Sequence, residues 1–105
     1  MRVLRIEPGK ASEIVEIENS LEALQEQVGG YIETLTFARD AALIVDEEGK
    51  LKGKPYNFTF CGEVLVRTVL FVGVDGEEFC DIPAMAEDFI TKIFGRGERD
   101  DTSES

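Results

Sequence analysis

Glu22 and Glu26 stand four residues apart, so on a helix their carboxylates rise about 6 Å along one edge. That spacing can imitate successive phosphates of a nucleic-acid backbone, a pattern that a basic, DNA-handling protein would accept. The plain reading is that glutamate favours helices and keeps an outward face wet. The pair belongs to a block: Glu13, Glu16, Glu18, Glu22, Glu26 and Glu33 lie between Ala11 and Ala38 without an intervening lysine or arginine. A second acidic patch, Asp75, Glu77, Glu78 and Asp81, surrounds a turn and a helix start, where negative charge complements the helix dipole. Neither this patch nor Asp46-Glu47-Glu48-Gly49 has the Asp-x-Asp-x-Asp-Gly spacing of a calcium loop. No metal site is assigned, and no cofactor is expected.

Positive charge is dense only at Lys50, Lys52 and Lys54, which alternate through a stretch containing Gly53 and Pro55. Tyr56 or Phe58 could stack a base beside them, but neither common glycine-rich phosphate motif accompanies the lysines. Their plainer role is to offset the acidic majority. The chain has no histidine, which removes the usual proton carrier near neutral pH and the base of a serine triad. Cys61 and Cys80 lack that partner too and read as reduced core residues, although the position of Cys80 before a helix would lower a thiol pKa. No catalytic residue is assigned. Tyr31, beside Gly29-Gly30, and Tyr56 are the best aromatic contacts. The candidate binding residues are therefore Glu22, Glu26, Tyr31, Glu33, Lys52, Lys54 and Tyr56.

Elements able to position these groups follow from the hydrophobic pattern. With 105 residues, 43% of them hydrophobic, the chain suits one folded domain. We place that domain at residues 1–95 and expect a disordered polar tail at 96–105. Arg2–Glu7 and Ser12–Ile17 form a predicted hairpin around Pro8-Gly9-Lys10. A helix follows, capped by Asn19 with Glu22 three residues on, striped by Leu21, Leu24 and Val28, and ended by Gly29-Gly30. Tyr31–Phe37 alternates as a strand with one wet face, and Ala41–Val45 is a short apolar strand. Leu51–Asn57 reads as a loop. Phe58–Val74 divides at Gly62-Glu63, and Val69–Val74 lies deep in the sheet because both its faces are apolar. Pro83 opens a last helix whose stripe is Met85, Ala86, Phe89, Ile90, Ile93 and Phe94. The order is β-β-α-β-β-β(-β)-α. The expected class is α+β: a mostly antiparallel sheet of four to six strands with two amphipathic helices on one face.

Several segments together carry a resemblance. They are Val3-Leu4-Arg5-Ile6-Glu7-Pro8-Gly9-Lys10, Leu21 to Val28 with the following Gly29-Gly30-Tyr31-Ile32-Glu33, Asp46-Glu47-Glu48-Gly49-Lys50-Leu51, Lys54-Pro55-Tyr56-Asn57, and Leu70-Phe71-Val72 with Val74. The chain resembles, over about Met1 to Phe94, a small uncharacterised (domain of unknown function) family encoded in Firmicute plasmids, conjugative elements and phages. The segment Val28-Gly29-Gly30-Tyr31-Ile32-Glu33 is the most specific part. The resemblance implies a cytoplasmic accessory protein of a mobile element that is not an enzyme, and supplies no catalytic residues.

Net charge of −11 disfavours contact with nucleic acid and anionic membrane. With no apolar stretch of membrane-spanning length, the expected partner is a basic protein, for example a DNA-processing or defence factor of the host. The alternative is a small-ligand or nucleotide module that brings the Gly29–Tyr31 corner to the Lys50–Asn57 loop. Oligomeric state is not fixed by these features.

Overall fold

The computed structural model describes residues 1–49, 53, 55–60 and 62–95. Lys50, Leu51, Lys52, Lys54, Cys61 and the expected tail at 96–105 lie outside the described residues. Strands β1 (Arg2–Ile6) and β2 (Glu13–Glu16) pair antiparallel, as the sequence predicts. The turn between them closes by a bond from the Lys10 amide to the Glu7 carbonyl at 3.0 Å.

Helix α1 spans Leu21–Val28. Its cap is Ser20, not Asn19: the Ser20 hydroxyl accepts from the Ala23 amide at 3.2 Å. Both residue types cap well. Asn19 is engaged elsewhere, donating its side-chain amide to the Phe79 carbonyl at 2.9 Å. Gly29 ends the helix at φ +84, where its amide reaches the Gln25 carbonyl.

Strands β3 (Ile32–Ala38), β4 (Ala41–Asp46), β5 (Tyr56–Phe60), β6 (Glu63–Val66), β7 (Val69–Asp75) and β8 (Glu78–Cys80) follow, then helix α2 (Ala84–Phe94). The main sheet runs β2-β1-β7-β4-β3 and is antiparallel throughout, with β8 beside β7. β5 and β6 form a separate two-stranded sheet. The class is α+β.

Four expectations change here. The Phe58–Val74 run breaks twice, at Gly62 and again at Arg67, whose φ of +56 is left-handed. Tyr56 and Asn57 are strand, not loop. The Asn57 side chain bonds the carbonyls of Ile6 (2.9 Å) and Arg67 (2.6 Å), fixing the small hairpin to β1. β8 replaces part of the acidic patch read as a helix start, paired through a two-residue turn with Gly76 at φ +67. Pro83 sits at the N-cap position, one residue before the first turn of α2.

Alternation along the strands separates two faces. Leu4, Ile6, Leu43, Val45, Val69 and Phe71 pack with Phe58 and Leu65 of the hairpin and Ile90 of α2. Val3, Ala42, Ile44, Leu70 and Val72 pack with Leu24 and Val28 of α1. The two helices therefore lie on opposite faces rather than one. Every residue of β4 is buried, as are Val69 to Gly73 of β7. A sheet apolar on both sides needs a cover on each. The expected α2 stripe divides accordingly. Ile90 is fully buried with Ala86 and Phe94 against the core, whereas Met85, Phe89 and Ile93 face outward and are 85%, 53% and 54% exposed. No described helix is long and apolar enough to cross a membrane.

Candidate functional site

β3 ends the sheet, so one of its edges pairs with no strand among the described residues. The Glu47 amide donates to the Tyr31 carbonyl at 2.8 Å, and β3 and β4 continue in that register from Ile32–Asp46 to Thr36–Ala42. Bonded and non-bonded pairs alternate in an antiparallel ladder. Tyr31, Glu33 and Leu35 thus direct their backbone groups to β4, while Ile32 and Thr34 direct theirs outward. The register shifts only beyond Thr36.

The β5–β6 hairpin folds over the face that carries Glu33, Leu35 and Phe37. Packed rings hold it there: Phe60 meets Phe37 edge-on at 5.6 Å and Phe71 at 5.7 Å, and Phe58 lies 4.6 Å from Phe94. Between hairpin and β3 run two cavities that share Leu35 and Glu63. One, of about 300 Å³, is lined by Glu33, Asp46, Glu47, Glu63 and the apolar side chains Leu35, Val45 and Leu65. The other, of about 290 Å³, is lined chiefly by Leu35, Phe37, Leu43 and Phe60, with Thr34, Thr36 and Glu63. Together they make a groove along β3, acidic at the Glu33 end and apolar at the Phe37 end.

Its acids differ in setting. Asp46 is buried and accepts from the Glu48 amide at 3.0 Å, which shapes the turn after β4. Glu33, Glu47 and Glu63 are exposed. The ion pairs among the described residues are Arg2–Glu87, Arg5–Glu13, Lys10–Glu7 and the amino terminus with Glu16. Every cation in that set belongs to the N-terminal hairpin. None of these pairs involves Glu22, Glu26, Glu33, Glu47 or Glu63. The Arg2–Glu87 pair is structural: two bonds, of 2.6 and 3.3 Å, fasten α2 to β1, and Glu87 holds the Arg2 guanidinium pKa above its usual value.

The predicted site residues disperse. Glu22 and Glu26 are exposed on α1, across the sheet from the groove. Tyr31 is 69% exposed at the α1–β3 corner, and Tyr56 is 59% exposed on β5 with its hydroxyl 3.1 Å from that of Thr59. Lys52 and Lys54 lie outside the described residues. Of the five described candidates, Glu33 alone lines either cavity. Glu47, Glu63, Leu35 and Phe60 are added by the structure. The threonines at 34 and 36, β-branched residues on a wet strand face, were the available signal of an exposed edge.

Ser12 is buried and its hydroxyl donates to the Gly95 carbonyl, tying β2 to the end of α2. Cys80 stands in β8, and burial, reinforced by Asp75, Asp81 and Asp40, pushes its thiol pKa up rather than down. Among the described residues, no three acidic or cysteine side chains converge as metal ligands would.

Comparison with curated proteins and with solved structures returned no match. A family model covers residues 1–95, strands, helices and groove together, and the chain belongs to that family, the Domain of unknown function (DUF3846).

Proposed function

We propose that this chain is a non-enzymatic binding protein that presents its acidic, apolar-floored groove to a basic partner protein. One observation carries the reading: the ion pairs among the described residues all take their cation from the N-terminal hairpin, while Glu33, Glu47 and Glu63 rim the groove without a cationic partner among the described residues. Carboxylates left in that state give a local negative potential that draws in cations and orients them. Within this proposal the partner is a host DNA-processing or defence protein, a reading supported by the resemblance to proteins of plasmids and phages. A surface of this sign disfavours direct contact with DNA.

Fluorescence anisotropy with labelled decalysine, at 50 and 300 mM salt, tests the proposal. Binding weakens about tenfold or more at the higher salt, because exposed charges are screened within about a Debye length. Glu33→Lys combined with Glu63→Lys abolishes it, while Glu22→Lys combined with Glu26→Lys leaves it within about twofold, roughly the scale of a few tenths of a kcal/mol. Salt-independent binding, or equal losses in the two double variants, refutes the groove as the site.

A further inference from the structure

We infer that the free edge of β3 takes up an extended segment of the partner as an added antiparallel strand, with the order apolar, any residue, lysine or arginine. The inference rests on the acidic-groove reading above and specifies what the groove binds. Outward backbone groups of Ile32 and Thr34 supply the ladder that a new strand needs. The two cavities follow each other along β3, centred on Glu33 and on Leu35 to Phe37. Alternate residues of a strand advance about 7 Å and share a face, so two side chains spaced in this way enter successive cavities. An antiparallel strand meets the Phe37 end first, placing its apolar side chain over Leu35, Phe37 and Phe60. Its cation then arrives beside Glu33, Glu47 and Glu63. Charge complementarity selects a foreign basic segment over a second copy of this chain, since self-pairing would set Glu33 and its neighbours against themselves.

The probe is a labelled peptide, Thr-Thr-Phe-Thr-Lys-Thr-Thr, titrated against the full chain. In the added strand, the threonine between phenylalanine and lysine lies opposite Thr34 and exchanges backbone bonds with it, whereas the lysine amide points away. N-methylation of that threonine therefore weakens binding about tenfold or more, and N-methylation of the lysine changes it by less than about twofold. Moving lysine next to phenylalanine puts the two on opposite faces and costs about tenfold as well. Thr34→Pro removes only an outward amide, which edge strands tolerate. It abolishes peptide binding. Should that variant fail to fold, the methylated peptides on the unaltered protein decide the matter. Equal affinities for the two methylated peptides, with decalysine still bound, overturn strand addition and leave the acidic groove standing. Loss of both probes overturns both.

Discussion

Ile90 and Phe89 are neighbours in sequence on α2, yet the structure gives them opposite fates, and exchanging each for alanine tests the layer arrangement. Ile90 is fully buried against the hairpin and the sheet, whereas Phe89 is 53% exposed. Ile90→Ala deletes three carbons from the core. At about 0.8 kcal/mol per buried methylene this is roughly 2.4 kcal/mol, and the residual cavity raises it to about 3–4 kcal/mol. A domain of this size is stable by about 5–15 kcal/mol, so the variant still folds. Phe89→Ala removes more atoms, but about half of that ring is already in water, so it costs about 1–1.5 kcal/mol. Urea denaturation followed by circular dichroism measures both, with the slope confirming two-state behaviour. In thermal melts each kcal/mol corresponds to about 4–8 °C for a domain this size. Equal losses, or a larger loss for Phe89→Ala, would mean that α2 presents a different face to the sheet and that Met85 and Ile93 are core.

Two further outcomes follow from close approaches and from charge. A Cβ on Gly73 would stand 2.1 Å from the Asp81 carbonyl oxygen and 2.9 Å from the Cys80 sulfur. Gly73→Ala therefore forces β8 away from β7 and costs about 2–3 kcal/mol. Gly49→Ala meets only the end of the Val66 side chain at 2.6 Å, which can yield, and urea midpoints should separate the two variants clearly. In a Cys61→Ser background, Cys80 alkylates more slowly than a free thiol at pH 8, and Asp75→Asn speeds it. The folded thiol holds its proton above the unfolded pKa of about 8.5, so its contribution to stability is present below that pH. It is lost as pH rises from there through the folded value, and denaturation midpoints across pH 7.5–10 register the decline.

What could be read locally was legible. The Pro8-Gly9-Lys10 hairpin, the α1 stripe of Leu24 and Val28 ending at Gly29, and the central β7 each depend on patterns within a dozen residues. What was missed depends on contacts far apart in sequence. Asn19 loses the cap to Ser20 because its amide is engaged with Phe79, sixty residues away. Arg67 breaks a β-rich run in a left-handed conformation that its residue type does not announce. β8 has three residues, too few for a period of two to show. The groove is less legible still. Glu33 could be found from the alternation of β3, but Glu63 and Phe60 join it only because the hairpin folds back over the sheet. Nothing within Phe58–Val66 distinguishes a strand of the main sheet from a lid upon it.

The two edges of the sheet are treated differently, and that asymmetry bears on function. β2 is four residues long, carries Glu13 and Glu16 in ion pairs, and is tied beside Ser12 to the end of α2. Short, charged and covered edges do not recruit other strands. β3 has seven residues, is rich in β-branched side chains, and keeps outward backbone groups free of strand partners among the described residues from Ile32 to Thr36. Such an edge invites pairing with any chain, including a copy of itself. Here Glu33, Glu47 and Glu63 change the outcome: against another copy they place carboxylate on carboxylate, and against a basic strand they attract. Like charges facing each other across an interface cost affinity, whereas complementary ones speed encounter and fix register. On the proposed reading, the same acids that oppose self-pairing of the exposed edge also select what extends it. Neutralising them as Glu33→Gln with Glu63→Gln should lower the affinity for a basic peptide and, at the same time, increase self-association in sedimentation velocity. A variant that loses peptide binding yet stays monomeric at every concentration would separate the two roles and refute this account of the edge.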